Sequence, residues 1–480
     1  MFCKRDREVT MLFHTPIFLF LFLPLTLFAY FVLPTTWRNA VLLTASLVFY
    51  AWGEKFYVLL MITAIAFNFA LGLWLDSASD QWRRHILRFG VVTNVAVLFG
   101  FKYLYFALSE GFQLIGLGDH SASPIRPIHL PIGISFFTFE AIAYLMDVSR
   151  RQTAASRSPV QFGLFMTLFP HLIAGPVVRY RDLAAGLASR TCSVAQFASG
   201  IRRFSVGLAK KMLLANALGG AANQIFSAPP EHLAASAAWL GVLCYALHIY
   251  FDFSGYSDMA IGLGRFFGFE LCENFRYPYA ADSITDFWRR WHISLSSWFR
   301  DYVYLPLGGN RCGNARTYAN LMLVFVLCGL WHGANWTFLA WGLWHGLFLI
   351  AERTGFRRLL DRAPSMLRHL YVLLAVLGGW VFFAANSIGH ALGYFSALAG
   401  FSRGALHVGD YMNRELWLVI IIGSLFCVPT VPRMRTWVAA RPRWTPVMNL
   451  AHAAIPLALI LMATLHLTAG TYNPFIYFRF

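Results

Sequence analysis

Four hundred and eighty residues, 58% of them hydrophobic and only 13% charged, with a mean hydropathy of +0.55, make a chain that cannot turn its surface to water, which excludes a soluble globular protein. The formal charge of +17 is carried mostly by arginine between apolar runs, and there a basic excess reads as anchoring of cytoplasmic loops rather than nucleic-acid binding. Seven scattered cysteines with no C-x-x-C pair indicate neither a disulfide framework nor a zinc site and are expected as small buried hydrophobes or free thiols.

In chain order, the runs that predict membrane segments are Leu12–Leu33, Asn39–Trp52, Phe56–Leu75, Phe89–Leu108, Leu130–Val148, Val160–Val178, Phe197–Asn216, Ala234–Tyr256, Tyr318–Ile350, Leu370–Ala385, Leu416–Val431 and Pro446–Leu467. Lengths near twenty residues match helices that cross a ~30 Å hydrocarbon core, so the expectation is an all-α polytopic membrane protein, one integral domain over 1–480, with about 11–12 membrane segments. The first run follows Cys3, Lys4, Arg5 and Arg7 but is long for a signal peptide and lacks a small-residue cleavage site, so a retained first helix is expected.

Arginine clusters in 76–88, 149–157, 265–316, 352–368 and 433–443 all belong on the cytoplasmic side by the positive-inside rule. Two segments separate the clusters on either side of 89–148, and two more those on either side of 369–432, which is consistent. Three lie between Arg157 and Arg265, so one of them must lie in the interface or re-enter; Phe197–Asn216, interrupted by Arg202, Arg203, Lys210 and Lys211, is the best candidate. The run Tyr318–Ile350 joins two cytoplasmic loops and cannot be a single crossing. A break at Gly329-Leu330-Trp331-His332-Gly333-Ala334-Asn335 would leave two halves of roughly thirteen to fifteen residues, about 20 Å each. His332 would then sit deep in the membrane at the turn of a broken hairpin, where non-helical backbone is tolerated only in protein or beside a wet cavity. Between these helices, 265–316 is too aromatic for a linker; its stretch Asp286–Tyr304 predicts an amphipathic helix at the cytoplasmic face, lying in the interface or dipping below it.

An ionisable side chain inside a bilayer is costly and is a functional hypothesis by default. His332 is the clearest case: imidazole accepts a proton near neutral pH and suits general-base activation of a hydroxyl. Gly329 and Gly333 permit close approach, Asn335 can hydrogen-bond, and Trp331 and Trp336 wall the position. His292, within Arg289-Arg290-Trp291-His292-Ile293-Ser294, is a second candidate for orienting substrate, although a lone histidine at an interface is ordinarily bland. His345 and His171 read as structural. Asp252 and Asp258 close an apolar helix; as members of two i, i+4 pairs, with Tyr256 and Ser254, they face different ways, which argues against a paired-acid site, and they are expected to bind arginines of 265–316. Among the familiar nucleotide, serine-hydrolase and zinc-protease motifs, none is present in the sequence.

Four ordered motifs carry a resemblance: Tyr250-Phe251-Asp252-Phe253-Ser254-Gly255-Tyr256-Ser257-Asp258-Met259-Ala260, Phe287-Trp288-Arg289-Arg290-Trp291-His292-Ile293-Ser294-Leu295-Ser296, Tyr302-Val303-Tyr304-Leu305-Pro306-Leu307-Gly308-Gly309-Asn310 and Trp331-His332-Gly333-Ala334-Asn335-Trp336. Together they resemble the membrane-bound O-acyltransferase (MBOAT) family, from the first helix to the Phe-rich end Pro474–Phe480, and within it the bacterial alginate O-acetyltransferase-like branch. The resemblance implies a helical bundle with re-entrant or interfacial helices around a central funnel. It also implies acyl transfer with His332 at the catalytic position and His292 as the second histidine, supported by Asn335, Trp331, Asp252, Asp258, Arg289, Arg290 and Arg300. Acetyl-coenzyme A is the donor it suggests, with no tightly bound cofactor and no metal. The expected setting is the bacterial inner membrane and its lipid, with periplasmic acetyl-accepting proteins and an exopolysaccharide as partners and no nucleic acid. A transporter or flippase, or a D-alanyl transferase of the same family, are the alternatives.

Overall fold

The computed structural model describes residues 11–114, 128–441 and 444–468. Cys3, Lys4, Arg5, Arg7, Arg443 and the Pro474–Phe480 end lie outside the described residues. Every regular element among the described residues is helical, apart from one isolated bridge between Leu233 and Leu406. Among the described residues, five helical stretches are long and apolar enough to cross a membrane: Thr35–Ser77, Asp80–Lys102, Ala235–Phe266, Ser365–Ala384 and Leu450–Thr468. The chain is therefore an all-α, multi-pass membrane protein. The other predicted segments lie in shorter or broken helices, except Phe197–Asn216, which is part of a longer run interrupted by charged residues.

Contacts divide the chain into two compact units, 1–201 with 259–272, and 202–258 with 273–480. The first unit carries α1 (Leu23–Val32), α2 (Arg38–Glu54), α3 (Val58–Ser77), α4 (Asp80–Lys102), α5 (Leu104–Leu114), α6 (Ile134–Ser149), α7 (Pro159–Thr167), α8 (Phe169–Leu172) and α9 (Tyr180–Ala188). Its core includes a cluster of Phe13, Phe18, Phe22, Phe49 and Phe169, with ring centroids 5.1–6.5 Å apart in the paired contacts. Buried polar groups are matched inside it, as membrane helices require. Asn68 and Asn94 exchange side-chain hydrogen bonds between α3 and α4, and His171 lies 2.9 Å from Glu140 with both side chains buried.

The predicted segment Val160–Val178 is not one crossing. It breaks after Thr167 into α7 and the single turn α8, followed by non-helical backbone. Pro170 and Pro176 remove helix donors there, and the freed Phe169 N–H donates to Ser46 Oγ at 3.1 Å. Phe197–Asn216, the segment expected to lie in the interface or re-enter, belongs to one continuous run: α10 (Val194–Ala209), a π turn at Lys210–Ala215 and α11 (Asn216–Ser227). α12 (Ala235–Phe266) follows.

The second unit then runs through α13 (Ile284–Arg290), α14 (Ile293–Phe299), α15 (Asn314–His332), α16 (Trp336–Ala351), α17 (Arg357–Arg362), α18 (Ser365–Ala384), α19 (Ile388–Leu398), α20 (Arg414–Phe426), α21 (Thr430–Ala439) and α22 (Thr445–Thr468). The run Tyr318–Ile350 is a helical hairpin, broken at Gly333–Asn335, toward the C-terminal end of the expected stretch. Small residues set how closely its arms approach. A Cβ on Gly329 would stand 2.3 Å from the Phe338 carbonyl oxygen, and one on Gly342 would stand 2.3 Å from that of Phe325. Asp286–Tyr304 is not the single helix that its spacing predicts. It breaks between α13 and α14 at His292, whose backbone is left-handed (φ 43°, ψ 54°), and ends in a π turn at Arg300–Tyr304. The six described cysteines are free thiols, with Cys244, Cys328 and Cys427 buried.

Candidate active site

The candidate site is built from two helix breaks of the second unit. At the first, α15 ends on His332 itself and Asn335 restarts the chain as the N-cap of α16, its Oδ1 accepting from the Thr337 N–H at 3.0 Å. The imidazole of His332 is only 7% exposed. Its ring lies 4.8 Å from Trp331, 5.1 Å from Trp341 and 5.0 Å from Phe383, centroid to centroid and edge-on to each. These aromatic walls enclose the imidazole, which in its neutral form can accept a proton.

His292 occupies the second break. A non-glycine residue with positive φ is strained, and such residues persist where the surroundings over-determine them. The clamp is visible: Asn274 Oδ1 lies 3.1 Å from His292 Nδ1, and the Asn274 carbonyl accepts from the Ile293 N–H at 3.0 Å. The ring is edge-on to Phe253 at 4.6 Å and 6.1 Å from Trp331. Trp331 thus touches both candidate imidazoles. Burial pushes the His292 imidazole down to about 3, so it is neutral at physiological pH.

The two acids are placed differently from the sequence expectation. Their partners come from the 197–216 run, not from the arginines of 265–316. Lys211 Nζ reaches Asp252 Oδ1 at 2.6 Å with both side chains essentially buried. Arg203 and Lys210 both bind Asp258, at 2.7 Å each, and Arg203 also grips Glu273 with two hydrogen bonds. The physical reason is a close approach at Gly255, where an added Cβ would stand 2.8 Å from the Gly207 carbonyl oxygen and 3.1 Å from Lys210 Cβ. The charges that pointed to an interfacial helix are therefore largely neutralised within the unit.

Of the predicted supporting residues, Trp331 lies against His332. Asn335 spends its oxygen on the cap, and its Nδ2 donates to the Asn386 carbonyl at 3.3 Å. The Gly333 N–H is likewise taken, by the Gly329 carbonyl at 3.3 Å. Arg289 is exposed, Arg290 pairs with Asp286 at 2.8 Å, and Arg300 pairs with its neighbour Asp301 while remaining largely exposed. His345 lies in packing, between Trp288 at 5.1 Å and Trp341 at 5.2 Å.

Three participants escaped sequence reasoning. Trp341 is fully buried beside His332, and its indole Nε1 has no hydrogen-bond partner. Asn274 is a buried amide in an aromatic loop. Glu352, the acid just past the long apolar run, is buried and caps α13: Oε1 accepts from the Ile284 N–H at 2.6 Å, while Oε2 accepts from the Thr285 N–H at 3.0 Å and hydroxyl at 2.6 Å. It thereby ties the end of α16 to the helix that leads into His292. An acid closing an apolar run was the signal available for it. Glu352→Ala strands two buried N–H groups, at about 1–3 kcal/mol each. The expected result is a lower melting temperature in detergent, with Glu352→Gln falling between alanine and wild type.

Two histidines are thus enclosed at helix breaks of one multi-pass helical bundle. The chain belongs to the membrane-bound O-acyltransferase (MBOAT) family, which it matches over residues 129–389, a span that includes both histidines, and it is an acyltransferase. It is 41% identical to a protein of Azotobacter vinelandii named "Probable alginate O-acetylase", over 98% of this chain and all of that one. It is 35% identical to a peptidoglycan O-acetyltransferase of Helicobacter pylori, over 88% of this chain and 87% of that one. Against a teichoic acid D-alanyltransferase of Bacillus subtilis the identity is 30%, over 43% of this chain and 56% of the other.

Proposed function

We propose that the protein takes acetyl groups from cytoplasmic acetyl-coenzyme A and passes them across the inner membrane for O-acetylation of an exopolysaccharide such as alginate, through periplasmic acetyl-accepting proteins. The observation that carries this reading is similarity along 98% of the chain to a protein whose name gives alginate O-acetylation, joined to an aromatic-walled imidazole in the family region. The D-alanyl alternative rests on similarity over less than half of the chain, and a transporter has no need of acyl chemistry.

In this mechanism His332 takes the proton of the acceptor hydroxyl as its oxygen attacks the thioester carbonyl. The C–O bond forms, the C–S bond breaks, and the departing thiolate of coenzyme A recovers the proton. The developing oxyanion needs a donor in a dry site. Asn335 and the Gly333 N–H, the donors expected from sequence, are engaged in the turn, whereas the Trp341 indole N–H beside His332 is uncommitted and takes that part. Exposed Arg289, Arg300 and Arg311, with the partly exposed Arg290, supply positive potential for an anionic donor.

The test uses the protein in sealed vesicles with radiolabelled acetyl-coenzyme A outside its cytoplasmic face. Release of free coenzyme A coupled to label on an acceptor at the opposite face is expected. Uptake of intact polysaccharide without coenzyme A release would replace the proposal with transport.

A further inference from the structure

We infer that Asn274 is a positioning residue that holds His292 as the Nδ1–H tautomer, leaving the Nε2 lone pair as the only proton-accepting atom that ring offers the reaction; this rests on the acyl-transfer reading above. Three contacts converge on Asn274 Oδ1: the Ser294 N–H at 3.2 Å, the Ser294 hydroxyl at 2.9 Å and His292 Nδ1 at 3.1 Å. A backbone N–H can only donate, so the amide atom facing Ser294 must be the oxygen; an inverted amide would set donor against donor. The opposite end agrees, since Nδ2 donates to Ser257 Oγ at 3.2 Å. The Ser294 hydroxyl stands 3.5 Å from Nδ1 but donates to Asn274 Oδ1 at 2.9 Å, so an oxygen at 3.1 Å from Nδ1 calls for a proton on Nδ1, because two lone pairs would otherwise face each other. Asn274 itself is 1% exposed, so no water competes for the arrangement.

The consequence lies at the other nitrogen. His292 Nε2 is buried and has no hydrogen-bond partner, an orphaned acceptor in an aromatic enclosure. A lone pair held there accepts a hydrogen bond from a hydroxyl or thiol and cannot donate one. The logic is that of a metal-bound or triad histidine, whose reactive nitrogen is chosen by what the other nitrogen bonds. The groups facing the ring are Asn274 and Ser294, Phe253 on α12 and Trp331 on α15, none of which ionises near neutrality. The acids of α12 next to these contacts are both paired: Asp252, beside Phe253, with Lys211, and Asp258, beside Ser257, with Arg203 and Lys210.

Histidine-selective 15N spectra of the reconstituted protein, with His292→Gln assigning the resonance, should show Nδ1 protonated and Nε2 bare; the reverse pattern overturns the inference. In acetyl transfer, Asn274→Leu should lower kcat at least tenfold. Asn274→Asp, which keeps the acceptor and adds a charge that favours the imidazolium, should retain activity but move the acidic limb of the kcat/KM profile to higher pH. If the wild type transfers acetyl groups and both variants keep its rate and pH profile, Asn274 has no such role. If the wild type transfers none, the fault lies with the proposed function, and the spectra still decide the tautomer.

Discussion

Replacing His332 with alanine is expected to reduce acetyl transfer by about 10²–10⁴-fold, the usual worth of a positioned general base. The readout is coenzyme A release by protein reconstituted with donor and acceptor. The side chain ends α15 and is enclosed by Trp331, Trp341 and Phe383, so the loss must be separated from a packing defect. Thermal stability in detergent provides that control, and His332→Gln, close in size but unable to take the proton, should fall as far as alanine. Transfer within threefold of wild type by a stable His332→Gln protein would remove this histidine from the chemistry.

The second large effect concerns stability. Lys211 and Asp252 form an ion pair at 2.6 Å in which neither side chain reaches solvent. Removing one partner strands a buried charge, which costs about 3–5 kcal/mol, whereas replacing both with apolar residues of similar volume is often neutral. Lys211→Met alone should therefore lower the melting temperature sharply and reduce the yield of folded protein, and Lys211→Met with Asp252→Leu should restore most of it. The same experiment separates a structural role for Asp252 from a chemical one: a refolded double variant that still transfers acetyl groups leaves the acid outside the reaction.

These outcomes track what the sequence could and could not disclose. The broken hairpin was legible because Gly-Leu-Trp-His-Gly-Ala-Asn interrupts an apolar run whose ends face the same compartment, a contradiction that only a turn resolves. The partners of Arg203, Lys210 and Lys211 were hidden because their counterions, Asp252 and Asp258, are some forty to fifty-five residues away, and nothing local announces the approach at Gly255. The break at His292 was invisible for a related reason. Its left-handed backbone is held by Asn274 and the preceding α13 by Glu352, through contacts across the fold, while the local pattern Arg-Arg-Trp-His-Ile-Ser reads as uninterrupted helix.

The glycine contacts of α15 and α16 also bear on motion. With Gly329 and Gly342 each lying against a carbonyl oxygen of the opposite arm, the two arms meet main chain to main chain at two points, which leaves them little room to slide or roll. The hairpin is thus a strut of fixed length, and whatever opens and shuts as acyl groups travel must be drawn from rotating indoles or from other helices. A side chain larger than hydrogen at either glycine should prise the arms apart and displace the His332 imidazole.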